Sequence, residues 1–197
     1  MQQRIPYDGN DLGAVYTKKY TAFRLWAPTA DAVTLYREGD GDCLSDTLPM
    51  KRDVQGTWTI RVDGDLRHVY YTYRLERSGK TVESQDPYSV AVGVNGQRSM
   101  VLDLKETDPE NFKEDHGPVF SNRTDLVICE ISVLDSTADG SSGVKYPGKY
   151  LGLAEKGTKN KEGEATGLDY LKSLGITHVQ IMPMYDFATV DELHPTV

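Results

Sequence analysis

Two aspartates and a tyrosine occupy positions at which side chains of an α/β protein can meet a ligand. Asp135 follows an apolar run at 126–133, and Tyr185 and Asp186 follow a second β-rich run at 176–182. If both runs are parallel strands of a barrel sheet, their carboxyl ends lie on the face where barrel proteins bind substrate. The pattern suits turn residues equally well, because aspartate is common after strands for its local hydrogen bonding. These three residues are therefore candidate substrate-binding residues with a structural alternative.

Metal-ligating side chains do not cluster in the sequence. The two cysteines, Cys43 and Cys129, lie far apart, and His178 has no second His or Cys at ligand spacing. The acids at 38, 40, 42 and 46 lack the glycine and glutamate placement of a defined calcium loop. We therefore predict no metal and no cofactor, and we interpret both cysteines as reduced and incidental.

The charge balance and the hydropathy pattern exclude several classes of partner. The chain has 22 lysines and arginines against 30 acids, which gives a net charge of −8. It has no basic run that could follow a phosphate backbone, so we expect no nucleic acid partner. No stretch approaches the roughly 18 uninterrupted apolar residues of a membrane span, and the opening MQQRIPYDGN lacks the apolar core of a signal peptide. We expect a cytoplasmic protein that contacts no membrane.

Short β-type runs separated by turn signals fill the first half of the chain. Several runs alternate with period two; Phe23, Leu25 and Ala27, for example, share one face of their run. The runs cover 21–27, 32–36, 57–62, 70–75 and 100–104. This spacing is typical of an all-β sandwich, so we predict a mainly β protein with an immunoglobulin-like sandwich over residues 1–106.

A polar segment follows the predicted sandwich. Residues 107–124 include Pro109, Gly117 and Pro118, which is the composition of a linker. After residue 125 the near-continuous apolar run at 126–133 resembles a strand buried on both faces. The linker therefore separates two regions of different character.

The last third of the chain predicts one βαβ unit. A helix signal begins at Thr166, whose hydroxyl can cap the first turn, and ends at Gly175. The β-rich run at 176–182 follows, so a strand, a helix and a second strand succeed one another as at the start of a β/α barrel. A complete barrel needs about 250 residues. We therefore predict an incomplete barrel start over residues 125–197.

Aromatic side chains offer faces that can stack on sugar rings. Trp26 and Trp58 lie in strand-type patterns, and we predict core packing for both because large aromatics are highly buried on average. Tyr71 and Tyr73 share one face of their run while Tyr70 takes the other, which predicts at least one ring facing water.

Several long strings resemble the type I pullulanases, which are starch-debranching enzymes of the α-amylase superfamily, glycoside hydrolase family 13. The agreement extends in order over nearly the whole chain. The strings are YDGNDLGAVY (7–16), FRLWAPTADAVTLY (23–36), GTWTIRV (56–62), YYTYRL (70–75), DPYSVAVGVNG (86–96), GKYLGLAEKGTKN (148–160) and TGLDYLKSLGITHVQIMPMYDFATVDE (166–192).

The resemblance implies a parent enzyme that hydrolyses α-1,6 branch linkages of pullulan, amylopectin or glycogen with retention. Retention needs two carboxyl groups roughly 5 Å apart, one acting as nucleophile and one as acid/base. In the family these carboxylates lie on later barrel strands than any in this chain, so the resemblance implies no catalytic residue here. We expect the chain alone to be inactive.

The chain departs from the resembled family on the first predicted barrel strand. Cys129, Ser132, Leu134 and Ser136 stand where relatives have Tyr, His, Arg and Phe. The loss of a guanidinium and an imidazole removes polar contacts near the carboxyl end of that strand.

Two alternatives remain beside a pullulanase portion. The chain can be a non-catalytic α-glucan-binding module, which the intact sandwich pattern favours. It can also be an interaction fragment that needs a partner chain to supply the rest of the barrel, which the single βαβ unit favours.

Overall fold

The computed structural model describes residues 6–37, 46–182, 184–185 and 190–194. The chain divides into two units, one comprising Met1–Glu110 and Ala188–His194 and the other comprising Asn111–Phe187 and Pro195–Val197. Strands dominate the described residues and the helices are short, which confirms a mainly β protein.

Nine strands form the described part of the first unit, and four of the predicted runs correspond to full strands. Its strands are β1 (Gly13–Tyr16), β2 (Tyr20–Trp26), β3 (Ala32–Arg37), β4 (Asp46–Pro49), β5 (Lys51–Arg52), β6 (Thr57–Asp63), β7 (Tyr70–Arg77), β8 (Lys80–Ser84) and β9 (Ser99–Met100). The run predicted at 100–104 is reduced to β9, because a 3₁₀ turn begins at Leu104.

Two antiparallel sheets build the predicted sandwich. One sheet has the order β1-β2-β6-β5, and the other has the order β4-β3-β7-β8, with β9 paired to the start of β7. The central pairings are long, since β2 meets β6 from Tyr20↔Asp63 to Trp26↔Thr57. Long central pairs of this kind fix the register and therefore decide which side chains face the core.

The core lies between the inner faces of both sheets. Its aromatic centre consists of Phe23, Tyr71 and Tyr73, and the Phe23 and Tyr71 rings meet edge to face with centroids 5.0 Å apart. Burying each large apolar side chain stabilises the fold by about 1.5–3 kcal/mol. The other buried members are Leu25, Ala27, Ala30, Val33, Leu35, Met50, Trp58, Leu66 and Val101.

A network of charges attaches the segment before β1 to the sandwich. The Arg24 guanidinium donates to Asp11 through Nε at 2.9 Å and to Asp53 through Nη1 at 2.8 Å. Asp11 also accepts a hydrogen bond from the Tyr7 hydroxyl, and the Tyr7 ring lies over the guanidinium. Hydrogen bonds from Tyr7 and then from Arg24 lower the pKa of Asp11, so its carboxylate is charged at neutral pH.

The described part of the second unit contains a two-stranded parallel sheet and three short α-helices. These elements are β10 (Ile128–Ile131), α1 (Val133–Thr137), α2 (Tyr150–Leu153), α3 (Gly167–Ser173) and β11 (His178–Ile181). The strands β10 and β11 pair in parallel from Ile128↔His178 to Ile131↔Ile181. The predicted succession of strand, helix and parallel strand is therefore confirmed.

The first strand of this unit is shorter than predicted. Strand pattern extends to Val133 in the sequence, whereas β10 ends at Ile131 and α1 begins at Val133. The Ser132 hydroxyl accepts a hydrogen bond from the Asp135 amide at 3.3 Å, which caps the helix. A good N-cap residue thus ends the strand within an apolar run that alone predicts its continuation.

The predicted cap of α3 is also different in the structure. Thr166 occupies the N-cap position, but its hydroxyl donates to the carbonyl of Ser142 at 2.5 Å instead of accepting from the first turn. This bond joins residues 24 positions apart and orders the long connection between β10 and α3. The helix ends before Gly175, which has φ of +77° as predicted for a C-terminal glycine.

Candidate functional site

A buried carboxylate anchors the segment that follows β8. Asp86 is only 4% exposed, and its Oδ2 atom accepts hydrogen bonds from the hydroxyls of Tyr71 at 2.8 Å and Tyr73 at 3.2 Å. Its Oδ1 accepts from the Tyr88 amide, and its own amide donates to the Ser99 hydroxyl, both at 2.9 Å. Both carboxylate oxygens are thus engaged, so the segment has a fixed position on the sandwich.

The two tyrosines beneath Asp86 remain neutral donors. Burial, followed by the charge of Asp86, raises the pKa of Tyr71 and of Tyr73 above the ordinary tyrosine value. Deprotonation would bury a phenolate beside a carboxylate, and two like charges in that setting repel strongly. Both hydroxyls therefore donate to Asp86 throughout the neutral pH range.

A polar hollow of about 430 Å³ lies above this anchor. Its lining presents hydroxyl, carboxamide and carboxylate groups, which are the groups that hydrogen-bond to the hydroxyls of a polyol. Its volume lies within the roughly 300–1,000 Å³ of small-molecule sites. The lining residues are Thr72, Glu83, Ser84, Gln85, Asp86, Pro87 and Gln97.

One wall of the hollow is a hydrogen-bonded network across β3, β7 and β8. Glu83 accepts from the Thr72 hydroxyl at 2.7 Å and from Arg74 Nε at 3.0 Å. The bond from Thr72 and then that from Arg74 lower the pKa of Glu83, so its carboxylate stays ionised. The Arg74 guanidinium also lies 4.2 Å from the centroid of the Tyr36 ring. Glu83 and Arg74 therefore form a rigid wall, and one face of Tyr36 is already occupied.

The tryptophans differ from each other. Trp58 is buried, and its Nε1 donates to the carbonyl of Ala27 at 3.1 Å, which confirms the prediction of core packing. Trp26 is only half-buried, and its Nε1 donates to the carbonyl of Gln55 at 3.0 Å. The prediction is therefore wrong for Trp26, because outward alternation on β2 overrides the general tendency of large aromatics to be buried.

The tyrosines follow the predicted alternation. Tyr71 and Tyr73 are buried, whereas Tyr70 is half-buried on the other face of β7 and Tyr88 is 52% exposed. The Arg98 guanidinium lies 5.5 Å from the centroid of the Tyr70 ring. Tyr88 therefore presents the most accessible ring of these four.

The candidate substrate-binding residues predicted from the sequence do not line this hollow. Asp135 and Tyr185 belong to the second unit, whereas the hollow belongs to the first. Asp135 is exposed in the first turn of α1, and Tyr185 is 80% exposed beyond β11. Asp186 lies outside the described residues. No hydrogen bond joins Asp135 to Tyr185 in the part of the chain that the structure describes, so their role in a substrate site stays a prediction.

A clamp of reciprocal hydrogen bonds holds residues 191–192 on the sandwich unit. The Asn95 amide donates to Glu192 Oε2 at 2.7 Å, and the Asn95 carboxamide donates to Asp191 Oδ1 at 3.0 Å and accepts from the Glu192 amide at 2.8 Å. Asn95 has a φ of +55°, a conformation in which asparagine is favoured among side-chain-bearing residues. Bonds from Asn95 and then from His194 lower the pKa of Asp191.

Metal and membrane features are absent from the described residues. Among residues 6–37, 46–182, 184–185 and 190–194, no group of three or more His, Cys, Asp or Glu side chains is arranged to hold a metal ion. Within the same ranges, no helix is sufficiently long and apolar to cross a bilayer.

The sandwich with its polar hollow corresponds to a recognised module. Residues 11–89 match the family described as carbohydrate-binding module 48, the isoamylase N-terminal domain. The matched range contains β1 to β8 and most of the hollow lining. This part of the first unit is therefore similar to the carbohydrate-binding modules of family 48.

Pullulanases resemble the chain well beyond this module. The pullulanase of Bacillus subtilis strain 168 is 37% identical over 189 residues, which cover 96% of this chain and 26% of that protein. Pullulanase A of Streptococcus pneumoniae serotype 4 is 32% identical over a range that covers 95% of this chain and 16% of that protein. Over almost its whole length the chain is thus similar to pullulanases, although it spans only about a quarter or less of the length of these relatives.

Solved structures agree with this assignment. The pullulanase from Bacillus acidopullulyticus superposes with a TM-score of 0.90 at 43% identity, over 97% of this chain and 24% of that one. The pullulanase from Paenibacillus barengoltzii, in complex with maltohexaose and α-cyclodextrin, superposes with a TM-score of 0.87 at 47% identity. The superposition covers 92% of this chain and 28% of that one. The chain thus spans about a quarter of the length of these structures.

Proposed function

We propose that the chain supplies an α-glucan-binding sandwich and the first βαβ unit of a barrel to a pullulanase-type enzyme that cleaves α-1,6 branch linkages. In this proposal an immunoglobulin-like sandwich spans residues 1–106, a linker spans 107–124 and the barrel start spans 125–197. The ligands of the parent enzyme are pullulan, amylopectin or glycogen. The observation that carries the proposal is the match of residues 11–89 to the family-48 carbohydrate-binding modules, together with the polar hollow that this range lines for the most part.

The chemistry of the hollow supports a glucan ligand. Gln85 and Gln97 offer carboxamides that both donate and accept, and the Thr72 and Ser84 hydroxyls add further groups. Thr72 and Arg74 hold Glu83 in place, so its carboxylate can accept a hydrogen bond from a sugar hydroxyl without reorganisation. Shallow sites of this kind gain little beyond the cost of immobilising a flexible sugar, so we expect a dissociation constant no tighter than about 1 mM.

The barrel start supports a second, indirect role. Asp135 follows β10, and Tyr185 and Asp186 follow β11, the two strands that pair in parallel. Residues after parallel barrel strands lie toward the face where barrel active sites are built. We propose that these three residues line the substrate cleft of the complete enzyme, whose catalytic carboxylates belong to later strands.

Maltoheptaose titration tests the glucan site. Calorimetry on the full chain should give weak binding that Gln97→Ala weakens about threefold to tenfold, which is the effect of losing one hydrogen bond. Gln180→Ala, at an exposed glutamine of β11, is the matched control and should bind as the parent does. Equal binding by all three proteins would place the glucan elsewhere.

Inactivity of the chain is tested separately. A retaining mechanism needs an acid and a nucleophile that the proposal assigns to other strands, so incubation with pullulan should release no reducing sugar above a buffer control. Release that persists through successive purification steps would contradict the proposal.

The apolar surfaces of the second unit favour an alternative in which the chain needs a partner. Ile128 is exposed on β10, as is Val127 directly before that strand, and Val179 is exposed on β11. Copurification with a polypeptide that carries the remaining barrel strands would support this interaction role.

A further inference from the structure

A second depression, the groove, opens between the two sheets beside β8. Its volume is about 530 Å³, and it lies on the face of β8 opposite to Glu83. Register places Val82 across from Leu75 and Ser84 across from Tyr73, so these side chains face the groove together. The lining residues are Leu25, Trp26, Ala27, Pro28, Thr29, Ala30, Tyr73, Leu75, Arg77, Lys80, Val82, Ser84, Gln85 and Pro87.

The groove combines an apolar interior with cations at one end. Arg77 and Lys80 face each other across the β7–β8 hairpin, and none of the described acids lines the groove. Neither cation forms an ion pair within the ranges that the structure describes, and the nearby Asp31 carboxylate accepts from the Ser78 amide at the hairpin turn. In a chain of net charge −8, such a local excess of positive charge is complementary to an acidic partner.

The rim of the groove is an open strand edge. β8 pairs with β7 along one side, and no described strand pairs with its other side. All five residues of β8 are exposed, and the Val82 side chain is 61% exposed. An open edge presents backbone amides and carbonyls that can pair with another extended chain.

We propose that β8 and the groove bind an extended polypeptide segment that adds to the sheet as a new strand. Its backbone pairs with the open edge of β8, an apolar side chain enters the groove, and an acidic side chain meets Arg77 and Lys80. Strand addition of this type obtains affinity from main-chain hydrogen bonds and specificity from pockets for alternate side chains. A glucan suits the groove less well, because a sugar needs hydrogen-bond partners for its hydroxyls and most of the lining is apolar.

A peptide titration followed by NMR tests the site on the full ¹⁵N-labelled chain. The probe is an acetylated and amidated hexapeptide, Val-Thr-Phe-Thr-Val-Glu, which alternates apolar and polar residues and ends in an acid. We expect amide shifts concentrated at residues 80–84 and around the groove. Replacing the terminal acid of the probe with lysine should weaken binding about fivefold, the effect of one partly exposed ion pair.

Two substitutions, each of an exposed valine on an edge strand, test whether binding requires the groove. Val82→Glu places an acid at the groove and should abolish binding of the acidic probe, whereas Val15→Glu, at an exposed valine of the edge strand β1, should leave it unchanged. The proposal would be overturned if the amides of residues 80–84 did not shift at a millimolar concentration of the peptide. Equal binding of the acidic peptide and its lysine variant would also overturn it. Maltoheptaose that shifts the amides of Trp26, Leu75 and Arg77, which line the groove but not the polar hollow, and that competes with the peptide would overturn it also, by assigning the groove to glucan.

Discussion

The two units of the chain bury their apolar side chains to very different extents. In the sandwich, residues from both sheets cover one another, and Phe23, Leu35 and Tyr73 are almost wholly buried. In the second unit, Ile131 and Leu153 are the buried large apolar side chains among the described residues, whereas Ile128 on β10 is 60% exposed. Parallel strands are usually covered on both faces, whereas β10 and β11 leave apolar side chains exposed among the described residues. The comparison teaches that a βαβ unit can form its local pairing without forming a core.

The largest expected difference between the units is in resistance to unfolding. Each Val, Leu or Ile that stays exposed forgoes roughly 1.5–3 kcal/mol, and several such losses rival the 5–15 kcal/mol stability of a whole domain. Limited proteolysis of dilute chain, read by mass spectrometry, should therefore cut first between residues 135 and 165. Equal resistance of both units in a monomer would break the comparison.

One substitution in the core and one on the surface test the difference in stability between the two units. Phe23→Ala should destabilise the sandwich by about 3–5 kcal/mol, because it leaves a cavity against Tyr71. Val179→Ala on β11 should change stability by no more than about 0.5 kcal/mol, because that side chain is exposed. Denaturant unfolding monitored by near-ultraviolet circular dichroism measures both, and similar losses would contradict the assignment of the core.

High pH should affect the sandwich selectively. Burial raises the pKa of Tyr71 and Tyr73 in the folded state above about 10, the value for an unfolded chain, so their contribution is complete below that pH and is lost above it. Each tyrosine then costs about 1.4 kcal/mol per pH unit above 10. Unfolding of the sandwich between pH 10 and 12 measures the slope, which Tyr73→Phe should reduce by about 1.4 kcal/mol per pH unit. An unchanged slope would show that other groups cause the alkaline loss.

The smallest expected effect is local to the clamp. Asn95→Ala removes the acceptor for the Glu192 amide, so hydrogen exchange at that amide should accelerate while the sandwich core keeps its protection. Asn160→Ala removes a comparable local bond to Glu164 in the second unit and is the control. Unaltered exchange at Glu192 in Asn95→Ala would mean that other contacts hold residues 191–192.

Sequence patterns predicted those elements whose side chains alternate between core and solvent. The runs that became β2, β3, β6 and β7 had this alternation, so their position and type followed from it. The pattern did not indicate β8, because all of its residues are exposed and none reports a buried face. The extent of β10 was overestimated because a single capping residue, Ser132, ended the strand.

The candidate site was less predictable, because it depends on pairing between strands. The register of the β7–β8 hairpin brings Glu83 into contact with Thr72 and Arg74, and no local spacing in the sequence predicts those contacts. Tyr71 and Tyr73 gave one usable signal, because they were predicted to share a face and buried tyrosines need partners for their hydroxyls. The acid that supplies this partner is 13 residues from Tyr73 and carries no mark of burial in the sequence.

The clamp at Asn95 also sets an order of events during synthesis. Asn95 and Glu192 are separated by 97 residues, so the turn that carries Asn95 leaves the ribosome well before its partner. At about 5–20 residues per second, the delay is roughly 5–20 s, which is long compared with the folding of a small domain. The sandwich can therefore fold first and present its asparagine as a preformed receptor. Arrival of the acidic pair then closes the clamp on a surface that is already complete.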